Sequence, residues 1–329
     1  MTDIEQSKSA TRELNLYQAE TAAGAMRREV IEGLSRPQKQ ISPKYFYDER
    51  GSRLFDQICQ LDEYYLTRTE LSIMRDSAAE MAACVGPGSL LIEYGCGNGE
   101  KTRLLLEELS RPAAFVPIDI SGEHLRRTAL DLLARFPGLE VLPVCADFTG
   151  AFDVPRCRAA VDRQVGYFPG STIGNFTPRR AAAFLASVAR RVGPGGGLLI
   201  GVDLKKDIRT LERAYNDADG ITEQFNLNAL AHINDRLHAD FQLDQFRHRA
   251  FFNADEGRIE MHLESLADQT VAIDGHEIHF TAGETIHTES SYKYELDQFA
   301  RLAGEGGFDV ARVWTDPQRW FSVQYLRVR

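Results

Sequence analysis

The stretch that most constrains the fold is SLLIEYGCGNGEKT, at residues 89–102. Its first half is a short apolar run that predicts a buried strand, and the alternating glycines after it predict a tight turn. Residues 100–109 then have the pattern of a helix. A strand, a glycine-rich turn and a helix in this order are typical of doubly wound α/β sheets, in which the turn approaches a nucleotide-like ligand. A turn that serves only packing is the alternative.

Glu100 narrows the choice of ligand. A dinucleotide fingerprint that starts at Gly95 needs glycine at position 100, and a P-loop needs the same glycine before Lys101 and Thr102. A carboxylate at a helix N-terminus occupies the place where backbone N–H groups would receive phosphate. We therefore expect a ligand with a ribose and a positive charge but no phosphate, and S-adenosylmethionine (SAM) is such a molecule.

Two further predicted strands end in acidic residues. The run FVPIDI ends near Asp119, where a carboxylate can accept both ribose hydroxyls. The run VLPVCADF ends in Asp147 and Phe148, which can bind the adenine amino group and cover the base. Each aspartate alone can also be a turn or cap residue. Together with the glycine-rich turn, the strand ends favour one cofactor site.

The overall composition limits the classes of function. The 329 residues are 43% hydrophobic, which is enough for one large or two modest cores. A net charge of -10 opposes binding to a nucleic-acid backbone, so we expect no nucleic-acid partner. The sequence has no run suited to span a bilayer, and its polar N-terminus lacks the apolar core of a signal peptide. We therefore expect a cytoplasmic protein, and we expect a monomer.

The cysteines and histidines are scattered along the chain. Five cysteines without a CxxC pair indicate reduced thiols rather than disulfides or a zinc site. His276 and His279 flank a short β-like run, which by itself is a poor ligand set. We therefore expect no metal.

Strands and helices alternate in residues 69–205, which predicts a parallel sheet covered by helices on both faces. The predicted strands are 89–94, 114–120, 139–146, 164–168 and 197–203, and the predicted helices are 69–84, 100–109, 122–135 and 178–192.

The alternation breaks in residues 206–293, which we interpret as an inserted substrate-binding domain, with 1–68 as its N-terminal part. Residues 294–329 return to the large sheet and end it with an antiparallel strand. Outside the core the predicted helices are 18–33, 208–218, 222–239 and 295–304, and the predicted strands are 258–265, 270–273, 285–294, 308–315 and 320–328.

Eight segments spread over nearly the full length carry a resemblance to a known family. They are YFYDERGSRLFDQICQLDEYYLTRTE (45–70), EYGCGNGEKTRLLL (93–106), FVPIDIS (115–121), GSTIGNFTP (170–178), GVDLKKD (201–207), AYNDADGITEQFN (214–226), RIEMHL (258–263) and TESSYKY (288–294). The chain resembles the L-histidine Nα-methyltransferases of the ergothioneine pathway. The resemblance implies SAM-dependent transfer of three methyl groups to the α-amine of histidine, which gives hercynine. It also implies an α/β fold: a doubly wound, Rossmann-like class I methyltransferase sheet with a second, mixed α+β substrate-binding domain.

The resemblance further implies roles for individual residues. It places the cofactor beside Tyr47, Gly95, Lys101, Asp119, Asp147 and Phe148. It places Asn175 and Tyr215 on the substrate carboxylate, and Tyr64, Glu289 and Ser291 on the imidazole ring. The space around the amine and ring is then lined by Tyr47, Phe55, Gly170, Thr222 and Met261. Tyr47 and Asn175 are the candidate catalytic residues.

The pair Glu289 and Ser291 suits an imidazole ring. Residues i and i+2 of a strand share a face, where a carboxylate can accept an imidazole N–H and a hydroxyl can serve either tautomer. The family usually has valine between them, but this chain has Ser290, which we expect to point to the other face. Glu289 can also be a solvated strand charge, and Asn175 can also be a helix N-cap before Thr177 and Pro178.

Tyr47 is the candidate to receive the amine proton, because no histidine or lysine is marked as a general base by sequence alone. Its hydroxyl could accept a hydrogen bond from the amine or relay the proton through water, and its ring and that of Phe55 could tolerate the growing ammonium charge. Two other functions stay open: N-methylation of another amino acid such as tryptophan, and a non-catalytic SAM-binding module. Nicotinamide-dependent oxidation is disfavoured by Glu100.

Overall fold

The computed structural model describes Leu14 and residues 16–18 and 24–329. The strands are β1 (Tyr17–Gln18), β2 (Lys39–Gln40), β3 (Ser89–Tyr94), β4 (Ala114–Asp119), β5 (Val144–Cys145), β6 (Arg163–Phe168), β7 (Gly197–Asp203), β8 (Phe246–Asn253), β9 (Arg258–Ser265), β10 (Gln269–Ile273), β11 (His276–Phe280), β12 (Thr285–Tyr292), β13 (Phe308–Thr315) and β14 (Phe321–Val328). The α-helices are α1 (Ala25–Leu34), α2 (Glu49–Ile58), α3 (Tyr65–Val85), α4 (Glu100–Glu108), α5 (Gly122–Arg135), α6 (Pro178–Val192), α7 (Ile208–Arg213), α8 (Ile221–Leu237) and α9 (Leu296–Glu305).

The large sheet has eight strands in the order β1-β5-β4-β3-β6-β7-β14-β13. Six neighbouring strands of this sheet run parallel, namely β1, β5, β4, β3, β6 and β7. Strand β14 runs antiparallel to both of its neighbours. All six residues of β3 are buried, as expected for a central strand with helices over both faces. The predicted α/β class and parallel sheet are confirmed, and so is the antiparallel direction of the last strand of the chain, β14.

The second sheet has four strands in the order β2-β12-β9-β8, and β10 and β11 form a separate hairpin. Helix α8 packs on β8 and β9, and a core of its own joins Leu230 and Ile233 of α8 to Leu263 and Ile286 of the sheet. This mixed α+β part is built mainly from the segments that we assigned to the substrate-binding domain. The domain limits themselves stay a prediction; β1, within the first 68 residues, pairs with the large sheet.

Several element limits differ from the prediction. The predicted helix 208–218 ends as α7 at Arg213, because Asp217 then accepts the backbone N–H groups of Ile221 and Thr222 and starts α8. The predicted strand 139–146 is reduced to β5, after Pro143, which has no N–H for the ladder.

Four strands were not predicted, namely β1, β2, β8 and β11, and the ends of others differ from the prediction. Strand β8 is a half-exposed edge strand with charged residues among its apolar ones, so its periodicity is weak. Strand β11 has only five residues, although Ile278 and Phe280 alternate inward. The predicted strand 285–294 ends at Tyr292. The predicted helix 18–33 is confirmed from Ala25, but Gln18 lies in β1, and residues 19–23 lie outside the described part.

The two sheets meet beside β12. A short 3-10 helix at Thr172–Asn175 follows β6 and packs against β12. A Cβ atom on Gly174 would lie 2.9 Å from the carbonyl oxygen of Tyr292, so only glycine allows this approach. The close contact brings the loop after β6 to the strand that carries Glu289. Among the helices of the described residues, none is long and apolar enough to cross a membrane.

Candidate active site

A large cavity lies at the carboxyl ends of β3, β4 and β6, where doubly wound sheets bind ligands. Its wall includes ten of the predicted site residues: Tyr47, Phe55, Tyr64, Gly95, Lys101, Asp119, Asp147, Phe148, Gly170 and Asn175. The other five, Tyr215, Thr222, Met261, Glu289 and Ser291, lie beyond this wall in the second sheet and its connections. The predicted cofactor residues are thus all at one cavity.

The glycine-rich turn has the conformation that its sequence predicts. Gly95, Gly97 and Gly99 all have positive φ, which side chains rarely adopt, and the turn leads directly into α4. A Cβ atom on Gly95 would lie 3.6 Å from the ring of Phe148, while a Cβ atom on Gly97 would meet nothing within 4 Å. Gly97 therefore presents its backbone to open space at the cavity.

The two strand-end aspartates are held in different ways. Asp119 accepts backbone N–H groups from Ser121 at 3.0 Å and from Gly97 at 3.4 Å, which ties β4 to the glycine-rich turn. Burial raises the pKa of Asp119 above its ordinary value. Asp147 accepts from Thr149 at 2.9 Å and from the Lys44 ammonium at 3.2 Å. Burial alone would raise the pKa of Asp147, but these hydrogen bonds lower it.

Lys101 is anchored by a buried carboxylate that sequence reasoning missed. Its Nζ atom lies 2.6 Å from Oε2 of Glu70, which is about 1% exposed. The same carboxylate accepts the backbone N–H of Gly170 at 2.9 Å. Glu70 therefore joins α3, the start of α4 and the loop after β6, and it fixes two predicted site residues at once.

An aromatic wall separates the cavity from α8. The ring centroids of Tyr47 and Phe55 are 5.7 Å apart, and those of Phe55 and Tyr64 are 6.2 Å apart. Phe225 of α8 packs on Tyr47 and Phe55, and Thr222 lies one turn earlier in the same helix, buried. Burial raises the pKa of both tyrosines well above the ordinary value, so each is a neutral phenol.

Glu289 lies at the inner end of the site. It is paired with Met261 across β12 and β9, so both side chains are on one face of the sheet. The Asn175 side-chain amide donates to the Glu289 carboxylate over 3.4 Å, which is a long and therefore weak hydrogen bond. Burial raises the pKa of Glu289 to about 7, although nearby Lys293 lowers it. Asn175 and Glu289, which were predicted to bind opposite ends of one substrate, are thus neighbours.

A buried hydrogen-bond network joins the remaining predicted residues. The Tyr215 hydroxyl donates to Ser291 Oγ at 2.8 Å, and the ring of Tyr215 packs against Tyr64 at 6.2 Å between centroids. Lys293, which sequence reasoning missed, donates to both oxygens and forms an ion pair with Asp203. The signal was present in the sequence: each charged residue lies in a segment that carried the family resemblance, TESSYKY and GVDLKKD.

Ser290 points away from the pocket face, as predicted. It pairs with Glu260 across the strands, and its hydroxyl lies 3.2 Å from Nε2 of His287. Glu260, His262 and His287 have the spacing of a metal-ligand set on this outer face. The Arg258 guanidinium already binds the Glu260 carboxylate, however, and a cation beside it disfavours a further one.

Comparison with known proteins identifies relatives over nearly the whole chain. Residues 26–328 match the family model for the histidine-specific, SAM-dependent methyltransferases. The histidine N-alpha-methyltransferase of Mycolicibacterium smegmatis is 44% identical over 96% of this chain and 98% of its own length. That of Mycobacterium tuberculosis is 42% identical over 91% of this chain and 94% of its own length. Ergothioneine biosynthesis protein 1 of Neurospora crassa is 32% identical over 87% of this chain, which corresponds to 33% of that longer protein.

Proposed function

The chain belongs to the family of histidine-specific, SAM-dependent methyltransferases, and from this membership we propose that it converts L-histidine to hercynine in ergothioneine biosynthesis. Three methyl groups are transferred from SAM to the α-amine. The observation that supports this substrate best is the buried Glu289 carboxylate, placed with Ser291 on one strand face beyond the inner wall of the cofactor cavity. An apolar amino acid would leave that carboxylate buried without a partner, which costs free energy.

The cavity fits SAM in the chemistry of its wall. Gly97 leaves open space where a side chain would stand, Asp119 offers a fixed carboxylate for ribose hydroxyls, and Phe148 offers an aromatic face beside Gly95. When bound, SAM supplies a methyl group on a positively charged sulfur, which is open to attack by a neutral amine. We assign Tyr47, Gly95, Lys101, Asp119, Asp147 and Phe148 to its binding.

The substrate-binding roles are proposals too. We assign Asn175 and Tyr215 to the α-carboxylate, and Tyr64, Glu289 and Ser291 to the imidazole ring. Binding then replaces the long hydrogen bond between Asn175 and Glu289 by better ones to the substrate, and the Tyr215 hydrogen turns from Ser291 to the carboxylate. Phe55, Gly170, Thr222 and Met261 shape the space around the amine and ring.

The protein's own part in the reaction is mainly orientation. Holding two reactants in line can lower a barrier by about 7–11 kcal/mol, and the aromatic wall excludes water from the reacting atoms. Tyr47 is a neutral phenol, so it does not act as a phenolate base. Its oxygen can accept a hydrogen bond from the amine and so orient the nitrogen lone pair, and it can pass the proton on through water.

In the decisive experiment the purified protein is incubated with SAM and, one at a time, with amino acids that include histidine and tryptophan. We expect mass spectrometry to detect mono-, di- and trimethylated histidine and little methylation of tryptophan. Glu289→Ala should abolish histidine binding in calorimetry while S-adenosylhomocysteine still binds. Methylation of tryptophan in preference to histidine would overturn the proposed substrate, and absence of any methyl transfer would favour a non-catalytic SAM-binding module.

We also propose the oligomeric state, the cellular location and the domain limits of the protein. The protein works as a monomer in the cytoplasm and does not bind nucleic acid, in keeping with its net charge of -10. Its methyltransferase core comprises residues 69–205 and 294–329, and its substrate-binding domain comprises residues 1–68 and 206–293. Light scattering after size-exclusion chromatography tests the monomer, because a mass near 36.9 kDa is expected.

A further inference from the structure

Lys293 is the most completely buried cation near the substrate site. Its side chain is 0% exposed, and its ammonium has three partners: Asp203 Oδ2 at 2.7 Å, Ser291 Oγ at 2.9 Å and the Tyr215 hydroxyl at 3.1 Å. An ammonium has three hydrogens and no lone pair, so all three contacts use it as the donor. Burial alone would lower the pKa of Lys293, but Asp203 raises it, so the side chain is charged.

We propose that Lys293 is a positioning residue that orients the hydroxyls of Tyr215 and Ser291 and supplies the positive charge that keeps Glu289 ionised for histidine. This inference rests on the proposed function and deepens it. Tyr215 and Ser291 accept from Lys293, so the hydrogen of each hydroxyl must point away from the ammonium. One cation thereby sets the direction in which the Tyr215 hydroxyl donates at the carboxylate end of the substrate, and the direction in which the Ser291 hydroxyl donates at the imidazole end.

Lys293 is also placed to act on the charge of Glu289. Residues 289, 291 and 293 alternate along β12 and just beyond its end, and the Lys293 ammonium binds Ser291, so it lies on the Glu289 side of the strand. The groups that surround this carboxylate in the described residues are the Asn175 amide, the hydroxyls of Tyr47, Tyr64 and Tyr215, and Lys293. All three phenols are neutral, because burial raises the pKa of each above the ordinary value. Lys293 is therefore the charged group, among the described residues, that counters the effect of burial on Glu289.

Lys206 provides a matched control. It is also buried and pairs with the other oxygen of Asp203 at 2.6 Å, and it donates to the Tyr65 hydroxyl at 2.8 Å. In the described structure its ammonium donates to Tyr65, Asp203 and the Leu204 carbonyl, and not to Tyr215 or Ser291. Lys206→Met and Lys293→Met each leave Asp203 with one lysine, so both remove one buried ion pair. They differ in the contact with the substrate-binding hydroxyls.

The test compares both variants with the wild-type protein in histidine titrations, in the presence of S-adenosylhomocysteine, between pH 6 and 9, and in steady-state kinetics. We expect Lys293→Met to weaken histidine binding about 10- to 100-fold, the effect of losing charge-assisted hydrogen bonds, and to leave S-adenosylhomocysteine binding within about twofold. Histidine affinity should fall on the acidic side of its pH profile, and we call this fall the acid limb. In Lys293→Met the acid limb should move about one pH unit higher, because Glu289 loses its countercharge. Lys206→Met should leave that limb in place.

Two results would overturn the inference. Equal effects of Lys293→Met and Lys206→Met on histidine affinity, with the same acid limb, would reduce Lys293 to a structural role. A pH profile of histidine binding that is unchanged from wild type in both variants would also refute the proposed role of Lys293. If Lys293→Met does not bind S-adenosylhomocysteine, Lys293→Gln is measured in its place, because the amide keeps N–H donors without the charge. The acid limb of histidine binding should still move to higher pH in Lys293→Gln. Failure of the wild-type protein to bind histidine would refute the proposed function instead.

Discussion

Replacing Glu289 with glutamine should make the protein more stable and less able to bind histidine. Burial raises the pKa of Glu289 from 4.5 to about 7, so the folded protein binds a proton there more tightly than the unfolded chain does. The stability of the wild-type protein therefore falls as the pH rises between these two values, and the loss is complete above pH 7. At about 1.4 kcal/mol per pKa unit, the full loss is about 3 kcal/mol.

The variant removes this loss, because glutamine has the same shape but no charge. We expect the free energy of unfolding of Glu289→Gln, measured with urea, to exceed that of the wild type by about 2–3 kcal/mol more at pH 8 than at pH 5. Ser290→Val, on the opposite face of the same strand, should show the same difference from wild type at both pH values. A difference for Glu289→Gln that does not change with pH would refute the assigned burial cost of this carboxylate.

Three further variants test other parts of the site. Tyr47→Phe should lower kcat about tenfold or more at all three methylation steps, measured by time-resolved mass spectrometry, and near-normal rates would exclude its role in orienting the amine. Asp119→Asn should weaken S-adenosylhomocysteine binding about tenfold in calorimetry, because a charged acceptor for the ribose hydroxyls is lost; an unchanged affinity would contradict that assignment. Gly174→Ala should raise the histidine KM and lower stability by about 1–3 kcal/mol, since its Cβ atom meets the Tyr292 carbonyl, whereas Gly138→Ala, with nothing within 4 Å, should change neither.

The parallel core was predictable because each of its elements carries a strong local signal. β3, β7, α5 and α6 have the limits that periodicity and turn residues indicate, and the long apolar runs of the central strands leave little ambiguity. Strand β8 carries no such signal, because an edge strand needs only part of its side chains to be apolar. Its place is decided by pairing with β9, which is a tertiary effect.

In the candidate site, too, some residues are predictable from local sequence signals and others depend on tertiary contacts. The cofactor residues follow strand ends, so the rule that parallel strands end at one edge is enough to bring Gly95, Asp119 and Asp147 together. The contact between Asn175 and Glu289 joins residues 114 positions apart through the close approach at Gly174, and no periodicity predicts it. The family resemblance supplied these residues, and the structure shows the contact.

The residues that sequence reasoning missed share one physical property: they are buried charges whose partners are also charged. Glu70 pairs with Lys101, and Lys293 pairs with Asp203. In sequence a lysine or glutamate reads as a solvated residue, since such side chains are rarely buried. Burying one is costly unless its partner is fixed nearby, and removing one partner leaves the other uncompensated. A fold keeps such pairs at a cost in stability, so their position beside the cofactor cavity and beneath the substrate-binding hydroxyls argues that orientation of the reactants is what they provide.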